Sequence, residues 1–219
     1  MHQRSLKAPS GLRNGRTFPN SRYRPNQSSG RRGGFQGSYI NPTKFVNKAT
    51  AAADQPIFEP VHKFSDFGFS PELQRNLVNR NYSTPTAIQD GSITAIMEGK
   101  DLIGLANTGT GKTAAFVLPI IQQLQHQRHQ NRVLIMAPTR ELAIQIDDEF
   151  RAFAAGLGLY SAMCVGGVAI ARQISQLARK PHVIIGTPGR LKDLVNRRAL
   201  NLTKTDILVL DEADRMLDM

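Results

Sequence analysis

Gly104-Leu105-Ala106-Asn107-Thr108-Gly109-Thr110-Gly111-Lys112-Thr113 is a glycine-rich stretch between two apolar ones. Asp101-Leu102-Ile103-Gly104-Leu105 before it has the length of a strand. Thr113-Ala114-Ala115-Phe116-Val117-Leu118 after it opens a longer apolar-periodic segment that predicts a helix. Strand, glycine loop and helix in that order form the setting of a phosphate-binding loop. Glycine at 109 and 111 lets backbone N–H groups turn inward with no Cβ in the way, and the following helix adds the positive end of its dipole. Lys112 is then placed to reach β- and γ-phosphates as a point charge, and Thr113 to offer its hydroxyl to Mg²⁺. Ala106 stands where the general pattern has glycine. The plainer alternative is a turn that only joins strand to helix; the intact Gly111-Lys112-Thr113 triplet and both flanks favour the nucleotide.

Outward from the loop, helix and strand alternate. Upstream, Ser70-Pro71-Glu72 combines a capping hydroxyl, a first-turn proline and an early acid, which predicts a helix start. A second helix is expected over 86–97, ended by Gly99, with order beginning near Phe58. Downstream, helices are expected over 114–127, 141–155, 169–178 and 190–196, and strands over 132–137, 161–165, 182–186 and 207–210. Val, Ile and Leu run through these strands with little alternation, as suits a parallel sheet covered on both faces. Repeated βα units predict an α/β fold, a three-layer sandwich with a parallel sheet and right-handed crossovers. Ligands of such sheets sit outside the carboxyl ends of the strands.

The charge is unevenly spread. Of a net +11, residues 1–50 carry ten Lys or Arg and no acid, whereas 51–219 hold eighteen basic and seventeen acidic residues. Residues 1–55 read as a disordered Arg/Gly-rich basic tail, without helix or strand period, and 56–219 as the folded domain. The tail suits sequence-nonspecific contact with RNA or DNA, Arg on phosphate and Phe18, Tyr23, Phe35 or Tyr39 on bases; a solvated linker is the even alternative. Cys164, the single cysteine, sits in an apolar run and reads as a buried inert thiol, compatible with a reducing, cytoplasmic setting. No apolar run approaches the ~18 residues that would span a membrane.

The chemistry falls at the expected strand ends. Asp211-Glu212-Ala213-Asp214 follows the apolar run 207–210. An Asp delivered there can hold Mg²⁺ opposite Thr113, and Glu212 beside it can polarise a water. Pro138-Thr139-Arg140-Glu141 and Thr187-Pro188-Gly189-Arg190 each offer a rigid turn, a hydroxyl, a helix start and an Arg, suited to sugar-phosphate without base readout. Gly166-Gly167 lies between them as a close-approach surface. Ordinary capping explains any one of these loops; three along one sheet edge favour a function.

Taken together and in order, the phosphate loop from Ala106 to Thr113, Pro138-Thr139-Arg140-Glu141-Leu142, Gly166-Gly167, Thr187-Pro188-Gly189-Arg190 and Asp211-Glu212-Ala213-Asp214 resemble the motif set of DEAD-box ATP-dependent RNA helicases, in which Ala is usual at the position of Ala106. Tyr82-Ser83-Thr84-Pro85-Thr86-Ala87-Ile88-Gln89 is similar to that family's adenine-recognition motif. The resemblance covers residues 58–219 and implies a RecA-like P-loop NTPase domain that uses ATP and Mg²⁺. It implies that Gln89 bonds the adenine edge and Phe64 stacks on the ring. Lys112, Asp211 and Glu212 would be catalytic, Thr113 and Asp211 would hold the metal, and Ala106, Asn107, Thr108, Gly109, Thr110, Gly111, Lys112 and Thr113 would cradle the phosphates. Pro138, Thr139, Arg140, Gly166, Gly167, Thr187, Pro188, Gly189 and Arg190 would hold RNA, with Asp214 and Arg190 as relays between the sites. The family's Ser-Ala-Thr motif and second RecA-like domain, with its arginine fingers, are not in these 219 residues. The domain therefore reads as incomplete at its C-terminus, an N-terminal half expected to turn over poorly alone. The alternative reading is an ATP- and RNA-binding module with negligible turnover.

Overall fold

A computed structural model describes residues 58–126 and 133–218; the readings of the basic tail lie outside the described residues. Four parallel strands, β1 (Val133–Met136), β2 (Ser161–Cys164), β3 (Val183–Gly186) and β4 (Ile207–Leu210), form one sheet in the order β2-β3-β1-β4. Seven α-helices accompany them among the described residues: α1 (Pro71–Asn79), α2 (Ala87–Met97), α3 (Lys112–His126), α4 (Arg140–Phe153), α5 (Ile170–Ala178), α6 (Pro188–Asn196) and α7 (Ala213–Leu217).

The period of two along the strands divides the core. Val133 and Ile135 of β1, with Val183 and Ile185 of β3, pack against residues of α1, α3 and α4. Leu134 and Ile184 point to the other face, where Ala162, Cys164, Leu177, Leu191 and Leu194 complete a second cluster. Buried area of this kind stabilises by roughly 25 cal/mol per Å², so an uninterrupted apolar run is what a strand with two covered faces requires. The expected three-layer α/β sandwich is what forms.

Helix ends follow local chemistry. The Ser70 hydroxyl accepts from Leu73 N–H at 3.2 Å and Pro71 opens α1; the Thr139 hydroxyl accepts from Leu142 N–H at 3.3 Å at the head of α4. α6 starts at Pro188, two residues before the expected helix, because Pro is tolerated at a first helical position. α3 runs through Pro119, whose missing N–H it accommodates in a buried setting.

Two expectations are corrected. The apolar run before the phosphate loop is not a strand here: residues 100–106 have no regular structure, and Ile103 and Leu105 are both 91 % exposed. A strand is stabilised by its neighbours, and this stretch pairs with none in the sheet. β4, which reads as another continuous apolar strand, is covered on one face only, with Leu208 and Leu210 outward.

Candidate nucleotide and nucleic-acid site

Register gives the site its layout. Met136 is level with Gly186 and Leu210, and Gly186 with Cys164. The four strands therefore end together, and the segments beginning at Ala137, Val165, Thr187 and Asp211 emerge along one edge.

The glycine loop is joined to the start of α2. Gly109 and Gly111 have φ of 81° and 85°, the left-handed region that glycine enters without strain. Gln89 Nε2 donates to Gly111 O at 3.1 Å, while Gln89 Oε1 accepts from Thr86 N–H at 3.0 Å. The Thr86 hydroxyl donates to Thr110 O at 2.8 Å. Within the loop, Lys112 Nζ donates to Ala106 O at 2.7 Å and the Thr110 hydroxyl to Asn107 O at 2.7 Å. Asn107, Thr108 and Gly109 face solvent, and Thr113 is half-buried in the first turn of α3. The loop thus keeps its peptide groups open outward, and its lysine satisfies a carbonyl that a phosphate oxygen could replace as partner.

Asp211 is buried at the end of β4, its N–H on Met136 O at 3.0 Å. Burial raises its carboxyl above the ordinary range, the Lys112 ammonium opposes that, and the charge of Glu212 adds to it. A nearby cation favours the charged form of such a carboxyl, which fits a divalent metal taken up with nucleotide phosphate. Glu212 adopts φ 51° and ψ 51°, left-handed for a non-glycine residue, and its carboxylate bonds Arg215 at 2.7 Å. Strain of this kind, of order 1–3 kcal/mol, gathers at functional positions. Asp214 is exposed on α7.

The other three segments form a second cluster. Pro138 is buried beneath the turn that Thr139 caps, and Arg140 lies with its guanidinium against Gly167, where any Cβ would overlap it. Gly167 has φ 72°. Thr187 N–H bonds Cys164 O at 3.0 Å, Pro188 begins α6, and Gly189 is exposed beside half-buried Arg190. Arg190 donates to Val168 O at 3.1 Å and to Gln173 Oε1 at 2.9 Å. Cys164 lies between these loops as a buried thiol, pushed up to about 12 by desolvation despite the nearby Arg190.

A sequence model of the DEAD/DEAH box helicases matches residues 86–219. The chain belongs to the DEAD/DEAH box helicase family. Among curated relatives, it is 45% identical over 177 residues to the ATP-dependent rRNA helicase RRP3 of Meyerozyma guilliermondii, covering 80% of this chain and 37% of that protein. It is 48% identical over 162 residues to the protein of the same name from Saccharomyces cerevisiae, covering 74% of this chain and 32% of the relative. The chain thus spans about a third of the length of the curated relatives it matches. Among solved structures, a DEAD box protein from the hyperthermophile Methanococcus jannaschii superposes with a TM-score of 0.68 at 36% identity, over 72% of this chain and 43% of that one.

Two DEAD-box positions stand differently from the sequence expectation. Phe64 is not an open stacking platform: it is 6% exposed, its ring edge-on to Phe67 at 6.2 Å and Tyr82 at 5.9 Å between centroids. Gln89 is buried, with both ends of its amide already bonded within the chain. Sequence reasoning also passed over the structural roles of Thr86, Asp90 and Gln173. Thr86 and Gln89 form a capping box, a signature readable from their spacing. Asp90, buried beside Gln89, accepts from Val61 N–H at 2.7 Å and bonds the His62 ring at 2.6 Å, tying the segment before the first turn to α2. Gln173, 2% exposed, was visible only as a polar residue at helical spacing between Ile170 and Leu177.

Proposed function

We propose that this chain is the ATP-binding half of an ATP-dependent RNA helicase, in which ATP hydrolysis is coupled to RNA binding and local duplex separation. The observation that carries the reading is the common level of the four strand ends, from which Asp211 and Glu212 and the three backbone-gripping loops emerge along one edge. One edge of the sheet then serves both ligands, as coupling between them requires.

In this reading the amides of 107–111 and the head of α3 receive the phosphates, and Lys112 exchanges Ala106 O for a phosphate oxygen. Thr113 and Asp211 are the residues that would hold Mg²⁺, which when bound supplies neutralisation of phosphate charge. Glu212 accepts from the attacking water once freed from Arg215. Gln89 fixes the loop through Gly111, and its remaining amide hydrogen is the group left for adenine. Phe64 serves the base only by turning from its aromatic neighbours. Pro138, Thr139, Arg140, Gly166, Gly167, Thr187, Pro188, Gly189 and Arg190 hold the RNA backbone without reading its bases.

The rate is set by closure of a second RecA-like domain, whose arginine fingers are typically worth about 10³–10⁵ in rate. For the 219-residue polypeptide alone, the binding-module reading is favoured by Glu212, whose carboxylate is engaged by Arg215. Among the described residues no helix is long and apolar enough to cross a membrane. The buried free thiol is compatible with the reducing, cytoplasmic setting proposed for the chain. The relatives' printed names make rRNA the first RNA to try.

The test is ATP turnover by the longer parent protein with and without single-stranded RNA. RNA should stimulate it and Glu212→Gln should abolish it; equal turnover with and without RNA would sink the helicase reading. The 219-residue chain should bind ATP weakly and turn it over little, and robust unwinding by it would overturn the need for a second domain.

A further inference from the structure

We propose that Gln173 is a positioning residue: it welds the Gly166-Gly167 turn to Arg190, so that two loops meet an RNA strand as one surface. This rests on the reading of those loops as backbone-gripping. Gln173 sits on the core face of α5, four residues before buried Leu177. Its Nε2 donates to Val165 O at 2.8 Å, the last carbonyl before the turn. Its Oε1 accepts from Arg190 NH1 at 2.9 Å, and the same NH1 donates to Val168 O at 3.1 Å, the first carbonyl after the turn. The turn is therefore held at both ends by two side chains that are bonded to each other, while Arg140 lies against Gly167 from a third loop.

The choice of residue has a physical meaning. A buried amide is costly unless both ends are paired, and here both are. A leucine would pack that helix face as well but would hold nothing. A carboxylate would hold Arg190 yet cancel its charge; a neutral amide fixes the guanidinium and leaves the charge whole for a phosphate. With NH1 committed, Nε and NH2 take no bond among the described residues and are the donors that remain.

The experiment uses the full 219-residue chain, a fluorescein-labelled single-stranded RNA oligonucleotide, and hydrogen exchange at amides 166–168 with and without that RNA. Arg190→Ala should weaken RNA binding about 10-fold, Gln173→Met about 5-fold, and the double variant no more than Arg190→Ala alone, because Gln173 acts through Arg190. Both single variants should lose RNA-induced protection of amides 166–168, and Gln173→Met should leave binding of a fluorescent ATP analogue unchanged. Additive losses, or wild-type RNA binding and protection in Gln173→Met beside a defect in Arg190→Ala, would overturn the proposal. Wild-type binding and protection in Arg190→Ala would instead remove the backbone-gripping reading, and this inference with it. Should Gln173→Met not melt cooperatively, Gln173→Leu, which packs the same helix face and removes both bonds, runs the same cycle.

Discussion

Gln89 and Gly111 are bonded side chain to backbone, Nε2 to carbonyl, at 3.1 Å across the seam between α2 and α3. The glycine is required twice over: its φ is 85°, and a Cβ there would run into that same Gln89 amide. Gly111→Ala should therefore lower the melting temperature by about 2–8 °C, from the ~1–2 kcal/mol cost of a left-handed alanine. It should weaken a fluorescent ATP analogue more than the stability loss explains, since the loop must shift to make room. Unchanged nucleotide affinity would show that the Gln89–Gly111 contact does not shape the loop.

Lys112 offers the opposite case. Lys112 is half-buried, its one hydrogen bond among the described residues goes to Ala106 O at 2.7 Å, and its charge offsets the burial of the Asp211 carboxyl. Lys112→Ala should leave the melting temperature nearly unchanged and reduce nucleotide affinity about 10- to 100-fold, the range for losing a hydrogen bond from a charged donor. Equilibrium titration with the same analogue measures it.

Glu212→Gln separates fold from chemistry. The ion pair it breaks has Arg215 largely exposed, so the change in stability should stay within about 1 kcal/mol. Thermal melting of the 219-residue chain reads that cost, and steady-state ATP turnover of the longer helicase proposed above reads the chemistry. A large melting shift would mean that Glu212 serves chiefly to hold α7.

Glu149 predicts a pH dependence. Desolvation raises its carboxyl above the ordinary range, Arg80 only partly offsets this, and its Oε2 is buried without a partner among the described residues. A folded-state value raised above the unfolded one contributes stability that is present below the unfolded pKa and is lost as pH rises through the folded pKa. Glu149→Met should therefore raise the melting temperature at pH 7 and gain less at pH 4. A constant difference across that range would show that ionisation of Glu149 is not what costs stability.

The basic segment is open to a separate test. Deleting residues 1–50 removes ten Lys or Arg and no acid. The slope of log affinity for RNA against log salt should become shallower, since each phosphate contact on a single strand contributes about −0.7. An unchanged slope returns the segment to the role of linker.

What the sequence disclosed tracks what is local. Ser70 and Thr139 cap helices because a hydroxyl meets the N–H three residues on, and spacing alone reveals that. β1 and β3 were legible because a covered strand must be apolar at every position. The residues at the carboxyl ends followed once those strands were placed. Pairing is not local, and there the reading stopped short. The run from Asp101 to Leu105 has the composition of β3 but no neighbour, and β4 has it with one face uncovered. Periodicity reports what a strand could bury, never what lies against it. Phe64 stands at the resemblance's position for a stacking ring, yet Phe67 and Tyr82 close on it from residues a spacing argument does not weigh. Gln173 was lost for the same reason, since its partners are one carbonyl and an arginine brought close only by the sheet.

β4 carries a consequence for anyone who handles the polypeptide. Its outer rim offers peptide groups that pair with no strand among the described residues, beside Leu208 and Leu210, about half exposed, with no lysine, proline or bulge within the strand to deter an incoming one. Such a rim is a template, and at high concentration or temperature the chain should lengthen its sheet with whatever extended peptide it meets, other copies of itself included. Light scattering should rise with concentration, and a lysine at 208 or 210 should suppress it. The first limit met at the bench will be colloidal.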